Sequence, residues 1–191
     1  MPTDVNARIA ARVSELRAAR RLTLDALAGA SGVSRSMISL IERGETSPTA
    51  VVLEKLATGL GVALAALFDA PAAAPHPVSR RADQVAWRDP ASGYVRRNVS
   101  PAGYPSPIQI VEVSFPPGAR VAYETGARTS ALHQQVWVLE GSISVTLGDA
   151  CFDLAAGDCL AMTLDRPIAY HNPTPEPARY AVVIVNPAMG R

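Results

Sequence analysis

Cysteine is nearly missing from this chain. Cys151 and Cys159 are its only two in 191 residues, too few for a disulfide framework and without the spacing of a zinc site. They are expected inside, as small hydrophobes of a protein kept in a reducing compartment. Charge imbalance is missing as well. Eighteen Lys and Arg against 17 Asp and Glu leave a net charge of +1, so the total singles out no partner, although a local basic face can hide inside it. No secretory leader is expected, because MPTDVNARIA has no basic region running into an apolar one. An unbroken apolar run is also lacking. The greasiest stretch, TAVVLEKLATGLGVALAALF, is interrupted by Glu54 and Lys55 and reads as a core-facing helix pair, not a membrane span. What remains, 48% apolar and 18% charged residues, is the composition of a soluble globular protein, with a cytoplasmic setting expected. The length allows one large domain or two small ones.

The chain changes grammar near residue 70. Before it, apolar residues recur at helical spacing and proline is scarce; after DAPAAAPHPVSRR, short β-branched runs alternate with proline and glycine. The Ala/Pro-rich residues 70–77 read as a linker. The expected division is residues 1–69, a linker over 70–82, and residues 83–191.

Five short helices are expected in the first part. Val5, Ile9, Val13 and Leu16 share one face, after Thr3 or Asp4 as N-cap. Thr23 caps LDALAGAS, in which Leu24, Leu27 and Ala28 face inward, and Gly32 supplies the turn. Ser34 caps RSMISLIERG, ended by Gly44. Ser47-Pro48 reads as the start of a fourth helix, with proline in its first turn and Val52, Leu53, Leu56, Ala57 and Leu60 as its stripe. ALAALF makes the last helix.

The third helix carries the candidate chemistry. Ser34, Met37, Ile38 and Ile41 fall on one side, expected to be the core side, and Arg35, Ser36, Ser39 and Arg43 fall opposite. Short hydroxyls let a helix approach base edges, and arginine can grip guanine or phosphate; an ordinary solvated face has the same look. The stretch LAGASGVSRSMISLIERGETSPTAVVLEKLATGLGV, however, closely resembles the lambda-repressor-like (XRE-type) helix-turn-helix family, over about residues 7–68. The resemblance implies a supporting helix over residues 24–30 and a recognition helix over 35–43. Ser34, Arg35, Ser36 and Ser39 would then face the major groove, with Arg43 and the loop Thr46, Ser47 and Thr49 at the phosphates. Many members place a glutamine near the start of the second helix to contact DNA. Here that region is Thr23-Leu24-Asp25, and an aspartate cannot donate to phosphate. Arg17, Arg20 and Arg21 lie nearby, with solvated helix-end roles expected.

Beyond about Val85, short punctuated runs such as PIQIVEVSF, QVWVLEGSISVTLG, CFDLAAGD and ARYAVVIV suggest an all-β barrel or sandwich. The elements VLEG, LAAGD and DRPIAYHNP resemble the cupin superfamily, a double-stranded β-helix barrel, over about residues 108–185. Cupins that hold metal use two histidines and a glutamate in a first motif and one histidine in a second. By that resemblance the positions fall at or beside Arg128 and Ser130, at Gln134 and at Ile168. His133 and His171 are out of phase by strand parity. Such a set does not suit a transition metal, so neither metal nor other cofactor is expected. Arg128, Ser130, Leu132, Gln134, Val136 and Val138 would face Ile168 and Tyr170, lining either a small-molecule pocket or a filled core. Trp137 and Leu139 would face outward, Trp137 covered by a partner subunit or the helical part. An interior Arg128 needs an anion, either Glu124 or a small organic carboxylate; at the barrel mouth it would only meet water.

The expected protein is therefore a multidomain transcription regulator, an all-α five-helix bundle followed by an all-β cupin barrel. Its expected partners are double-stranded DNA of inverted-repeat form, a small-molecule effector bound by Arg128, Ser130, Gln134, Ile168 and Tyr170, and a second copy in a homodimer. No catalytic residue is assigned. The rival readings are a ligand-free repressor with a purely structural barrel and a cupin enzyme tethered to DNA.

Overall fold

The computed structural model describes residues 5–68, 76–124 and 133–185. Four α-helices come first: α1 (Val5–Ala19), α2 (Leu24–Ser31), α3 (Arg35–Glu42) and α4 (Ala50–Gly59). Ile9, Val13 and Leu16 of α1 are buried, as their spacing predicts, and they meet Leu27, Ile38, Ile41, Leu53 and Leu56. The fifth expected helix is instead a 3-10 segment, Leu64–Phe68. Its backbone groups are claimed from outside: Arg12 Nε donates to Ala66 O, Arg8 Nη2 to Phe68 O and Asn98 Nδ2 to Ala65 O. Carbonyls satisfied this way need no further α-helical turn.

The turn between α2 and α3 takes three residues. Gly32 adopts φ +68 and its N–H bonds Ala28 O, Val33 is buried, and Ser34 accepts from Met37 N at 3.2 Å. A Cβ at Gly32 would be strained by that positive φ. α4 lies close across α2, since a Cβ at Gly59 would stand 2.8 Å from Ser31 Cβ.

Two sequence expectations change here. Pro48 is buried but precedes α4, whose N-cap is Thr49. The reason lies in the second half of the chain: Asp89 Oδ1 accepts from Ala50 N at 2.9 Å, so a distant carboxylate fixes the first turn. Met37 and Ser34, expected on the core side of α3, are exposed. An eight-residue helix covered on one side buries only a narrow stripe, here Ile38 and Ile41. The alternative N-caps Thr3 and Asp4 lie outside the described residues.

Ten antiparallel strands follow: β1 (Ala86–Arg88), β2 (Val95–Asn98), β3 (Ile108–Phe115), β4 (Arg120–Tyr123), β5 (His133–Glu140), β6 (Ser142–Leu147), β7 (Ala150–Ala155), β8 (Cys159–Thr163), β9 (Ile168–His171) and β10 (Ala178–Val185). They form a six-stranded sheet, β1-β2-β3-β10-β5-β8, and a four-stranded sheet, β4-β9-β6-β7. The inner faces of the two sheets meet in a barrel. Alternation is clean on β5, where Gln134, Val136 and Val138 are buried and His133, Gln135 and Trp137 are exposed. Cys151 and Cys159, expected inside, are both exposed. Cys159 stands opposite Trp137 in the β5–β8 register, which places it on the outer face.

The two halves are packed together. Phe68 and Trp87 are each 2% exposed with ring centroids 5.5 Å apart, and Trp87 meets Tyr94 edge-on. Residues 70–75 of the expected linker lie outside the described residues; residues 76–82 are mostly exposed.

Candidate nucleic-acid interface and barrel cavity

Helix α3 presents the candidate reading surface. Arg35, Ser36 and Ser34 are exposed, Ser39 is half-buried, and Met37 widens the face with an apolar side chain. Ser34 and Ser36 hydroxyls lie 3.2 Å apart. Both arginines are tethered by acids. Arg35 Nε stands 3.3 Å from Asp25 Oδ1 of α2, with both side chains mostly exposed. Arg43 grips Glu45 through Nε and Nη2 at 2.6 and 2.8 Å and donates to Ser39 Oγ. That bond holds the Glu45 carboxyl below its usual range. Exposed pairs of this kind contribute roughly 0–1 kcal/mol, so a phosphate or a guanine can displace them.

The neighbouring loop is engaged in structure. Ser47 Oγ accepts from Asn6 at 3.0 Å, Thr49 caps α4, and Thr46 is half-buried. Arg17 is no solvated helix end: Nε and Nη2 grip Glu42 at 2.6 and 2.7 Å, and Nη1 donates to Leu22 O, tying α1 to α3.

The barrel holds a cavity of about 70 Å³. Gln134, Ile168 and Tyr170 line it, as parity predicts, and Gln134 Nε2 donates to Tyr170 Oη. Arg128, Ser130 and Leu132 lie outside the described residues. Glu124, considered as the partner of Arg128, faces Lys55 of α4, with Nζ 4.0 Å from Oε2. Of the four positions that the cupin resemblance marks for metal ligands, two are described: Ile168, which has no donor atom, and Gln134, a neutral amide whose Nε2 donates to Tyr170 Oη. Among the described residues no group of three His, Cys, Asp or Glu could hold a metal ion.

Missed by sequence reasoning was Arg96. It is 7% exposed, lines the cavity, and lies with its guanidinium carbon 5.3 Å from the Phe68 ring centre. The signal was available: Arg96 and Arg97 are adjacent on a strand, so one had to point inward. Arg97 is the outward one and reaches Glu112 at 2.6 Å. Around Arg96 stand Tyr94, Tyr123, Tyr170 and Tyr180. Burial pushes all four phenols up, which keeps them neutral hydrogen-bond donors. Burial likewise pushes the Arg96 guanidinium down, but from so high a starting value that the side chain stays charged.

Comparison with known proteins agrees with this geometry. The helix-turn-helix family model matches residues 13–67. Over 62 residues the chain is 44% identical to the HTH-type transcriptional regulator SutR of Escherichia coli (strain K12), a match spanning 32% of this chain and 35% of that protein. With the HTH-type transcriptional regulator PuuR of the same organism it shares 28% identity over 165 residues, 84% of this chain and 85% of that one. The crystal structure of an HTH_3 family transcriptional regulator from Vibrio cholerae superposes with a TM-score of 0.78 at 28% identity, covering 97% of this chain and 99% of that one. Residues 13–67 are a helix-turn-helix domain. The second half of the chain adds a two-sheet antiparallel β-barrel to them, and the likeness to PuuR and to the Vibrio cholerae regulator runs through both halves. Among the described residues no helix is long and apolar enough to cross a membrane.

Proposed function

We propose that the protein is a cytoplasmic, non-catalytic transcription regulator that reads an inverted-repeat operator as a homodimer. Its barrel senses a small organic effector instead of holding a metal. The observation that carries this reading is the outer face of α3, where Ser34, Arg35, Ser36 and Ser39 are presented by a capped helix braced on α2. Arg35 suits a guanine edge, Met37 a thymine methyl, and Arg43 with the loop Thr46, Ser47 and Thr49 the phosphates.

Dimerisation is assigned to the outer face of the six-stranded sheet. Trp137 is 50% exposed there, on the same face as Ile108 and Ile110, which are also exposed. Apolar patches of this kind mark interaction surfaces, and a two-fold pairing would set half-sites about 34 Å apart. Operator selection with the full-length protein, followed by affinity measurement, tests the DNA assignment. The Arg35→Ala, Ser39→Ala double variant should lose about 1–3 kcal/mol per base contact while Trp137→Glu sediments as a monomer. Unchanged operator affinity in the double variant with helicity intact would mean that another surface reads DNA.

A second reading, a ligand-free repressor with a structural barrel, is favoured by the small cavity and by the Gln134–Tyr170 bond across it. Operator affinity unaffected by any added metabolite would decide for it.

A further inference from the structure

We propose that Arg96 is the receptor for the carboxylate of a small ligand, which it holds in the barrel cavity through Nε and Nη2. This deepens the sensing half of the function proposed above and rests on it.

The starting observation is an orphaned charge. Nε and Nη2 of Arg96 are buried and have no hydrogen-bond partner among the described residues. A cation that cannot shed its proton is not left this way without cost. Glu54 contributes an acidic side chain to the cavity lining, and the two nitrogens still have no acceptor. The Phe68 ring covers the guanidinium carbon, and a ring face offers no acceptor directed at the two N–H groups.

The identity of the two atoms points to the ligand. Nε and Nη2 are the parallel donors of the guanidinium's side, the pair that meets the two oxygens of a carboxylate. The same molecule uses them so twice. Arg17 holds Glu42 by Nε and Nη2 at 2.6 and 2.7 Å, and Arg43 holds Glu45 by them at 2.6 and 2.8 Å. In Arg96 the fork is intact and its carboxylate is not part of the chain's described residues.

The rest of the cavity selects within that class. Tyr170 Oη accepts from Gln134, so its own proton is left to donate. The remaining wall includes Val113, Phe115, Val121, Ile168 and Ile184, which suits a short apolar tail and not a second charge. A cavity of this size suits a small monocarboxylate. Because Ala63, Leu64 and Glu54 of the helical half also line the cavity, such a guest touches both halves of the molecule.

Thermal unfolding of the full-length protein tests this, with acetate, butyrate and benzoate as probes and butyramide, butylamine and inorganic phosphate as controls at matched ionic strength. At one hundred times its Kd, a fitting acid raises the wild-type melting temperature by about 5–10 °C, and the three controls leave it unchanged. Arg96→Met loses the response, and Arg96→Lys keeps a weaker one because it supplies charge without the fork. If Arg96→Met does not fold, the wild type alone decides. Butyramide equalling butyrate overturns the fork, phosphate exceeding all three acids overturns the carboxylate, and no shift with any acid makes Arg96 a structural residue. DNA is absent from the measurement. A protein that binds its operator and ignores the acids overturns this inference alone, whereas one that binds the acids and no operator overturns the DNA-reading assignment alone.

Discussion

Each half of the molecule withdraws an arginine from solvent, Arg17 partly and Arg96 almost wholly, and they treat it in opposite ways. In the helical half, Arg17 is closed off: its fork is filled by Glu42 and its remaining nitrogen by Leu22 O. In the barrel, Arg96 is more deeply buried and its fork meets no acceptor among the described residues. A closed pair holds helices in register, and its worth lies in not being disturbed. An open fork inside an apolar wall stores unmet hydrogen-bonding capacity, which is the property of a receptor. The exposed arginines of α3 form a third case. Their acids Asp25 and Glu45 stand in water, where such pairs are cheap to exchange for a phosphate.

The comparison breaks most readily at the closed pair. Glu42→Ala should leave the half-buried Arg17 charge unpaired and cost about 1.5–3 kcal/mol in denaturant unfolding, whereas the Arg17→Met, Glu42→Leu double variant should recover most of it. If the single and double variants were equally unstable, packing and not the charge would be what the pair supplies. Next comes the joint between the halves. Asp89 Oδ1 takes the Ala50 N–H while Oδ2 takes both Ser92 N and Oγ, so Asp89→Ala should cost about 1–3 kcal/mol. Amide exchange should quicken at the start of α4 and leave the middle of β10 alone; uniform loss of protection would mean that Asp89 supports only the barrel. The smallest effect belongs to the exposed pair. Arg35→Ala should change stability by less than about 0.5 kcal/mol, and a larger loss by calorimetry would show that Arg35 serves the fold as well as its proposed target.

Much of the helical half was legible because its signals are local. Thr23, Gly32 and Ser34 act on residues three or four positions away, and each forms the cap or turn expected of it. Strand parity was equally reliable: it placed Gln134, Ile168 and Tyr170 inside and His133, His171 and Trp137 off the inner face. Parity fails only where no strand is suspected. The short β2 went unnoticed, and Arg96 with it. Local pattern also misled where a covering surface was needed. Met37 has the right spacing to be buried but nothing packs over it, and the cysteines sit on strands whose outer faces are open.

What the sequence determined by itself was the division into a helical and a β half, the helix-turn-helix with its caps, and the facing of each strand it revealed. These follow from dihedral preferences and from periods of 3.6 and 2 residues, and they need no knowledge of distant partners. Only the tertiary structure decided where charges end up. It brought Asp89 to the start of α4, Glu42 to Arg17 and Phe68 over Arg96, pairings separated by 39, 25 and 28 residues. Whether a buried charge is satisfied depends on which groups share its small volume, and that is set by how the elements pack, not by their order along the chain.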